Sequence, residues 1–285
     1  MESTSPPSLL YDQGRYVSSY KTFCAHETFK YTEWVDDTFG EAVVSKLQAR
    51  QDELRVLGVG SGFGDADYSM LRKLLRRFPR ISNRVVEPLH GHIIQYQELA
   101  QSKAHELRGV SCDWRQQTIE QYEKAGDLTK FHFISAIHSL YYVPDLDSSL
   151  TFLYDRLEPG GILLVTMVSD KSGWKPLWQR VQDFNSQPHL NSADIRSFSE
   201  SRGIPYSQYH HSSRVNITEF FDGTSEEVRL LLDFFTHIVN FKETASEDLQ
   251  KSVMESLASS ECSEKNGDEV WFNDDWNTVI IKKPL

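Results

Sequence analysis

A glycine-rich segment near residue 60 has the composition of a ligand-binding turn. Gly60, Gly62 and Gly64 follow a short apolar run and alternate with Ser61 and Phe63. Glycine permits both a tight turn and the close approach of a ligand to the backbone. The spacing is GxGxG, whereas turns that bind dinucleotides carry GxGxxG with the pyrophosphate at the N-terminus of the next helix. The segment therefore predicts a ligand site at the start of a helix.

Acidic residues close to these glycines narrow the chemistry of the ligand. Asp65 and Asp67 fall in the first turn of the predicted helix, where carboxylates would repel a pyrophosphate. They suit a cofactor that carries a cation and no phosphate. Glu87 ends the next predicted strand, where a carboxylate can accept both ribose hydroxyls of an adenosine. The combination predicts an S-adenosylmethionine site; the alternative is an α/β protein whose glycines only turn the chain.

A histidine and several aromatic residues follow further along the chain. His138 comes directly after the third predicted strand, at the edge where open α/β sheets bind ligands. With an ordinary pKa of about 6.5 it could act as a general base, hydrogen-bond a substrate, or simply pack. Tyr141 and Tyr142 come next, and Trp174 and Trp178 are spaced to share one helix face. These rings form either a core stripe or pocket walls that attract a cation.

The elements that must position these residues alternate between strand and helix. Short apolar runs rich in β-branched residues predict strands, and segments of helical periodicity separate them. This alternation indicates βαβ units with right-handed crossovers, and hence a parallel sheet with helices on both faces. The predicted strands are 54–59, 84–88, 131–137 and 162–168, and the predicted helices are 67–78, 90–107 and 150–157.

The chain beyond residue 170 has a less regular pattern. Helices are predicted at 174–185 and 225–241, a strand at 207–217, and a hairpin at 270–281 that turns at Asn273, Asp274 and Asp275. We expect a single domain over 1–285. Its predicted parts are an N-terminal helical cap segment at 1–50, a cofactor-binding core at 51–169, cap insertions with late core elements at 170–268, and the terminal hairpin at 269–285.

The composition is that of a soluble globular protein. Hydrophobic residues make up 39% and charged residues 25% of the 285 positions, which is ordinary for such a protein. No apolar run approaches the ~20 residues that span a bilayer. Residues 1–8 lack the basic start and apolar core of a signal peptide. We therefore expect a cytoplasmic protein with no membrane partner.

Charge and cysteine spacing disfavour other classes of partner. A net charge of −11 would repel a phosphate backbone, so no nucleic-acid partner is expected. The basic run at 72–80 is interpreted as a solvated helix face. Cys24, Cys112 and Cys262 are far apart and form no Cys/His cluster, so neither a metal site nor a disulfide framework is predicted. The acidic balance fits a small cationic substrate.

Motifs spread over nearly the whole chain resemble those of the histamine N-methyltransferase family. The glycine turn is shared by many methyltransferases, whereas the tyrosine-rich and tryptophan-rich motifs are more specific. The chain is therefore identified as a divergent member of that family. The motifs are YDQGRYV at 11–17, GSGFG at 60–64, VVEP at 85–88, LYYV at 140–143, SGW with LW at 172–178, and FN at 272–273.

The resemblance implies a fold, a cofactor and a set of contacts. The fold would be a Rossmann-like class I methyltransferase, with a mostly parallel seven-stranded sheet, a terminal antiparallel hairpin and a small helical substrate cap. The cofactor would be S-adenosyl-L-methionine, with S-adenosyl-L-homocysteine as its product. By position, the resemblance assigns cofactor contacts to Gly60, Glu87, Thr118, Ile119 and Ile137, with His92 in place of a glutamine. It assigns substrate contacts to Tyr16, Tyr141, Tyr142, Trp174, Trp178 and Phe234.

The polar substrate contacts of the family are replaced in this chain. The family uses a glutamate near the N-terminus, a glutamine after the third strand and an asparagine in the last hairpin. The glutamate position falls on Phe29, or on Glu27 after a two-residue shift. The other two positions hold His138 and Asp274. Asp274 would pair with a substrate ammonium or orient His138, and His138 would hydrogen-bond the attacking nitrogen or accept its proton through water.

These replacements lead to a predicted function with two alternatives. We predict a monomeric enzyme that N-methylates a small cationic aromatic or imidazole-type amine by direct in-line transfer, with orientation providing most of the rate. In the first alternative the substrate is histamine itself, and Glu27 and Asp274 share its amine. In the second the chain binds S-adenosylmethionine without catalysing transfer.

Overall fold

The computed structural model describes residues 7–48, 53–181 and 189–285, and this part of the chain contains ten strands and twelve helices, some of a single turn. The strands are β1 (Leu54–Val59), β2 (Ile81–Val86), β3 (Val110–Arg115), β4 (Phe131–Ile137), β5 (Leu157–Val168), β6 (Tyr206–His211), β7 (Arg214–Asn216), β8 (Ser263–Asn266), β9 (Glu269–Asn273) and β10 (Trp276–Lys282). The helices are α1 (Gln13–His26), α2 (Tyr31–Trp34), α3 (Gly40–Ala42), α4 (Asp65–Leu75), α5 (His90–Ser102), α6 (Ile119–Lys124), α7 (Leu146–Asp155), α8 (Trp174–Val181), α9 (Ser192–Ser201), α10 (Glu226–Thr236), α11 (Phe241–Thr244) and α12 (Glu247–Ala258).

The described residues divide into two compact units. The larger unit contains those of 30–167, 190–209 and 277–285, and the smaller contains those of 1–29, 168–189 and 210–276. No helix in the described ranges is long and apolar enough to cross a membrane.

The larger unit is built on a seven-stranded sheet in the order β3-β2-β1-β4-β5-β10-β6. Pairing is parallel between β1 and both β2 and β4, between β2 and β3, and between β4 and β5. The last strand, β10, runs antiparallel. Directly beyond it, Lys283 accepts a hydrogen bond from the Gly160 N–H at 3.0 Å and donates to the Gly161 carbonyl at 2.9 Å. The predicted Rossmann-like class I methyltransferase fold is confirmed.

Parallel register brings the ends of several strands to one edge of this sheet. Val59 pairs with Val86, Gly58 pairs with Ser135, and Val86 pairs with Arg115. The residues that directly follow β1, β2, β3 and β4 therefore lie along the same carboxyl edge, where open α/β sheets bind ligands.

The core of the larger unit lies against the central strands. Ile134 on β4 and Leu163 on β5 are fully buried, and α4 packs through Leu71 and Leu74. Strands that are covered on both faces read as largely apolar runs, because both faces pack against other elements and accommodate few polar side chains. This burial explains why the strands at 54–59 and 131–137 were predicted with correct bounds.

The smaller unit combines an antiparallel three-stranded sheet, in the order β7-β9-β8, with five helices. A buried ion pair joins two of these helices, since Arg15 of α1 donates through Nε to Asp233 of α10. Asp233 is 1% exposed and also accepts the N–H groups of Asn240 and Phe241 at 2.9 Å. The ion pair thus fixes α1, α10 and the start of α11 together.

Some sequence predictions of secondary structure were wrong in part, including those at 150–157 and 207–217. The helix predicted at 150–157 is α7, which begins earlier because the Asp145 side chain caps it by accepting the Ser148 N–H. The strand predicted at 207–217 is two strands, β6 and β7, that belong to different sheets. Residues 182–185 of the helix predicted at 174–185 lie outside the described residues.

The terminal hairpin predicted at 270–281 does not form. β9 pairs with β7 and β8, whereas β10 belongs to the seven-stranded sheet. The segment between them is held by other groups: Asp274 donates its N–H to the Ser213 carbonyl, and the Asp275 side chain accepts the Ser213 N–H, both at 3.0 Å. These contacts replace the hydrogen bonds of a hairpin turn, so only the antiparallel last strand of the prediction is correct.

Candidate active site

The glycine turn after β1 has a backbone that side chains could not adopt without strain. Gly62 and Gly64 have φ values of +54° and +86°, in the left-handed region. A Cβ at Gly64 would lie 2.1 Å from the Tyr96 ring, whereas a Cβ at Gly62 would meet no atom within 4 Å. Space at Gly62 therefore leaves the turn open to a ligand.

Glu87, at the end of β2, is joined to this turn by hydrogen bonds. Its carboxylate is 4% exposed and accepts the Gly62 N–H and the Leu89 N–H, each at 3.0 Å. His92 Nδ1 lies 3.2 Å from Glu87 Oε1. Three donors leave room on a carboxylate that offers about four lone-pair sites. The structure thus brings Gly62, Glu87 and His92 together, as the sequence predicts.

The His92 side chain has a polar atom with no hydrogen-bond partner among the described residues. His92 is 9% exposed, and its Nε2 is buried and unpaired. Buried polar atoms are rarely left so, because each costs about 1–3 kcal/mol. An open glycine turn, a carboxylate with spare acceptor capacity and an orphaned imidazole nitrogen together fit an adenosine-containing cofactor.

The Asp67 side chain is buried, whereas the sequence analysis places it among the residues that face the ligand. The sequence places it in the first turn of α4, but its side chain is 5% exposed and accepts a hydrogen bond from the Tyr96 hydroxyl at 3.3 Å. Burial raises its pKa to about 6. Asp65, by contrast, is exposed. Asp67 and Tyr96 therefore pack beneath the glycine turn.

The other predicted cofactor residues lie after β3 and at the end of β4. Thr118 is the N-cap of α6: its hydroxyl accepts the Gln121 N–H at 3.3 Å, and the Gln121 side chain accepts the Thr118 N–H at 2.9 Å. Ile119 is buried, and Ile137 is half-buried. This capping box fixes the loop that follows β3.

His138 is held in an uncommon backbone conformation directly after β4. Its φ is +49°, and its N–H donates to the Thr166 carbonyl at 2.9 Å. Its Nδ1 lies 3.0 Å from the Tyr141 hydroxyl. Burial lowers its pKa to about 4, so the imidazole is neutral at pH 7. Tyr142, the next predicted residue, is 39% exposed.

Among the predicted substrate residues that have an ionisable side chain, Asp274 is the most buried. It is 3% exposed, and its carboxylate accepts the Trp174 indole N–H at 2.6 Å and the Ser213 hydroxyl at 2.9 Å. Burial raises its pKa to about 7. Asp274 belongs to the smaller unit and His138 to the larger; their predicted pairing stays a prediction.

The aromatic residues of the smaller unit form one cluster with a buried side and a half-exposed side. Trp174 is 3% exposed, and its ring centroid lies 5.3 Å from that of Trp178. Tyr16, Phe234 and Trp178 are half-buried, and the centroids of Tyr16 and Phe234 are 6.4 Å apart. Some of these rings therefore form core and others remain partly accessible, and a pocket role for the accessible rings stays a prediction.

The two candidates for the family glutamate position lie on either side of Thr28. Glu27 is the C-cap of α1, and its backbone pairs with Val215. The Phe29 ring packs 5.0 Å from His211 and 4.7 Å from Trp276.

Two structural features close to the predicted site residues were missed by the sequence reasoning. Tyr31 is hydrogen-bonded to Thr166, and burial raises its pKa; no motif marks this tyrosine. His189 and His237 both lie in ring contact with Trp178, but they are far apart in sequence. Only their presence near predicted helix ends could have drawn attention to them.

Comparisons with known proteins agree with this geometry. The profile of a family described as "Methyltransferase domain" matches residues 31–201. Histamine N-methyltransferase of Xenopus tropicalis is 34% identical over 97% of this chain and 98% of its own length, and that of Mus musculus is 31% identical over 96% and 97%. The solved YcgJ protein from Bacillus subtilis superposes with a TM-score of 0.55 at 14% identity, over 85% of this chain and 96% of that one. The chain therefore belongs to the methyltransferase family that includes the histamine N-methyltransferases, and it is an S-adenosylmethionine-dependent methyltransferase.

Proposed function

We propose that the protein methylates a nitrogen of a small cationic aromatic or imidazole-type amine. The observation that carries this substrate class is the buried carboxylate of Asp274, which contacts Trp174 within the aromatic cluster of the smaller unit. A carboxylate whose pKa is raised by burial gains when a cation restores favourable surroundings for its charge. Aromatic faces attract the same cation.

The cofactor would be held by residues at the carboxyl edge of the large sheet. When bound, S-adenosylmethionine supplies a methyl group carried on a sulfonium. Glu87 would accept ribose hydroxyls, His92 Nε2 would provide a further acceptor, and Gly62 would leave space for the ligand. Thr118, Ile119 and Ile137 would line the same edge, as would Gly60 and Gly64.

The protein residues would act mainly by binding and orienting the amine. Asp274 would hold a protonated amine of the substrate, and the attacking nitrogen must be uncharged so that its lone pair is free. In a substrate with a single nitrogen, the ammonium would first lose its proton to water. His138, neutral and fixed by Tyr141, would accept a hydrogen bond from that nitrogen and so direct its lone pair. Because an imidazole with a pKa of about 4 does not retain a proton at pH 7, the proton released after transfer would pass to water.

Histamine is the second candidate substrate, and the names of the curated relatives favour it. In that case Glu27 and Asp274 would share the amine. The family glutamine and asparagine positions hold His138 and Asp274, which favours a different or broader range of amines. A monomeric, cytoplasmic enzyme is part of the proposal.

The test is a screen of methylated products by mass spectrometry. The enzyme is incubated with S-adenosylmethionine and a panel of imidazoles, including histamine, indolethylamines and phenethylamines. We expect turnover of at least one class, and Asp274→Asn should raise KM for cationic amines by at least about thirtyfold, since a buried charge pair is lost. His138→Gln should change the order of preference within the panel.

A matched control separates these effects from general damage. His105 has a side chain 77% exposed, and His105→Gln should leave the panel profile unchanged. If Asp274→Asn and His138→Gln both keep the wild-type order and KM values, neither residue belongs to the substrate site. Absence of turnover on every amine would overturn the proposed function.

A further inference from the structure

The carboxylate of Asp67 lies beneath the glycine turn, in space that Gly58 leaves open on β1. Gly58 is buried, and a Cβ built on it would lie 2.5 Å from Asp67 Oδ2 and 2.5 Å from the Ser61 hydroxyl oxygen. The carboxylate thus fills a place inside the larger unit that a side chain of β1 would otherwise take. Because Ser61 is part of the turn, the carboxylate lies directly against the segment proposed to bind the cofactor.

The position of this carboxylate is fixed by a buried tyrosine. Tyr96 of α5 is fully buried and donates its hydroxyl to Asp67 Oδ2 at 3.3 Å. The same hydroxyl accepts a hydrogen bond from Asn83 Nδ2 at 3.4 Å. The Tyr96 ring lies so close to Gly64 that a Cβ there would be 2.1 Å away. The carboxylate is therefore held at a set place relative to both ends of the turn.

No cationic side chain among the residues that the structure describes forms an ion pair with Asp67. Burial, and then the charge of Glu87, raises its pKa to about 6, so the carboxylate is largely ionised at pH 7.5. A buried charge is costly unless a cation pairs with it. The titratable and polar groups that face it are neutral or acidic: Ser61 of the turn, Glu87 after β2, Tyr96 of α5, Tyr31 of α2 and Cys112 of β3.

The cofactor and its product differ in the property that a buried charge senses. S-adenosylmethionine carries a sulfonium, whereas S-adenosylhomocysteine has a neutral thioether in its place. The two molecules share the adenosine, the ammonium and the carboxylate. A fixed charge in a low-dielectric interior acts over several ångströms. A negative charge beneath the turn therefore favours the sulfonium over the thioether.

We propose that Asp67 is a specificity-determining residue for the cofactor, whose negative charge favours cationic S-adenosylmethionine over the neutral product. The proposal rests on the proposed cofactor site at Gly62, Glu87 and His92, and it does not depend on the identity of the amine. Its consequence for the reaction is that the charge assists replacement of the product by fresh cofactor after each transfer.

The experiment measures the Kd of each ligand by calorimetry from pH 5 to pH 7.5. Groups that face both ligands alike cancel in the ratio of the Kd for S-adenosylhomocysteine to that for S-adenosylmethionine. For wild type we expect this ratio to rise about fivefold over the range, because Asp67 loses its proton as the pH increases. Asp67→Asn should lower the ratio about tenfold at pH 7.5 and make it independent of pH.

Two further variants distinguish the charge of Asp67 from a role in packing. Tyr96→Phe keeps the carboxylate but removes a hydrogen bond that lowers its pKa, so the rise in the ratio should move to higher pH. Glu98→Gln removes a charge from an exposed position of α5, where solvent screens it. It should change the ratio by less than about twofold.

The outcomes separate this inference from the proposed cofactor site. If wild type binds neither ligand, the proposed cofactor site fails. If it binds both with a ratio that does not change with pH, only the role of Asp67 is refuted. A folded Asp67→Asn protein that keeps the wild-type ratio at pH 7.5 refutes it too. If Asp67→Asn does not fold, the pH profile of wild type and its displacement in Tyr96→Phe decide the question.

Discussion

At the scale of single residues, burial sets the ionisation of the candidate active site. It raises the pKa of Asp274 to about 7 and lowers the pKa values of His138 and His237 to about 4. In all three cases desolvation favours the neutral form. Under the proposed function, the Asp274 carboxylate would gain from pairing with a cationic amine, whereas His138 would act as an uncharged hydrogen-bonding group. This division of roles suits a reaction that binds a cation and needs a neutral nitrogen.

His92 provides a test of the cofactor site that does not depend on turnover. His92→Leu removes both the donor to Glu87 and the orphaned Nε2 acceptor. We expect the affinity for S-adenosylhomocysteine, measured by calorimetry, to fall about tenfold or more, as for the loss of one to two hydrogen bonds. His92→Gln, which keeps polar atoms, should bind within about threefold of wild type. Equal affinity of His92→Leu and wild type would place His92 outside the cofactor site.

At the scale of elements, sequence patterns predicted the positions of the strands better than they predicted which strands pair with each other. The tips of β1, β2 and β4 were found because an apolar run and the polar residue after it are local in sequence, which is why Gly60, Glu87 and His138 were predicted. Which sheet a strand joins depends on pairing between distant residues, such as Val215 with Phe272. Periodicity does not contain that information, so β9 and β10 read as a hairpin.

The lack of information about contacts between distant residues also explains which parts of the candidate site were missed. Trp174 and Trp178 share a helix face and could be read together, whereas His189 and His237 meet the same indole from separate segments. Asp67 was correctly placed in the first turn of α4, but its burial against Tyr96 depends on the packing of α5. Residue type and position could be predicted; the direction of each side chain could not.

The ion pair between α1 and α10 yields a prediction about how the smaller unit is held together. Arg15→Ala would leave Asp233, 1% exposed, with two backbone N–H groups and no cation. We expect a loss of about 3 kcal/mol in the free energy of unfolding, measured by urea denaturation. Glu226, the other partner of Arg15, has a side chain 59% exposed. Glu226→Gln should cost about 0.5 kcal/mol or less, and a comparable loss in both variants would refute the argument.

At the scale of the whole molecule, the predicted site residues are divided between the two units. The glycine turn, Glu87 and His138 belong to the larger unit, whereas Asp274 and Trp174 belong to the smaller. Neither unit is a continuous segment, since the chain changes unit at five points. Under the proposed function, the buried Asp274 would serve substrate binding, and a carboxylate buried for that purpose can lower the stability of the fold.

The dependence of stability on pH tests whether the buried carboxylate of Asp274 destabilises the folded protein. Asp274 has a folded pKa of about 7 against an ordinary value of 3.8, so the folded state retains a proton that the unfolded state loses. Its contribution to the free energy of unfolding therefore falls as the pH rises from about 4 to 7. Asp274→Asn removes this loss, and we expect the variant to match wild type near pH 4 and to exceed it by at most about 4 kcal/mol at pH 8.

A neighbouring carboxylate supplies the matched comparison for that measurement. Asp275 is paired with Arg214 at 2.5 Å, so Asp275→Asn removes a partner from a cation and should not stabilise the protein at any pH. Urea denaturation of wild type and both variants from pH 4 to pH 8 distinguishes them. If Asp274→Asn gains no stability as the pH rises, the carboxylate is not desolvated as the structure implies. If it gains stability while KM for cationic amines increases, Asp274 serves substrate binding at the expense of folding.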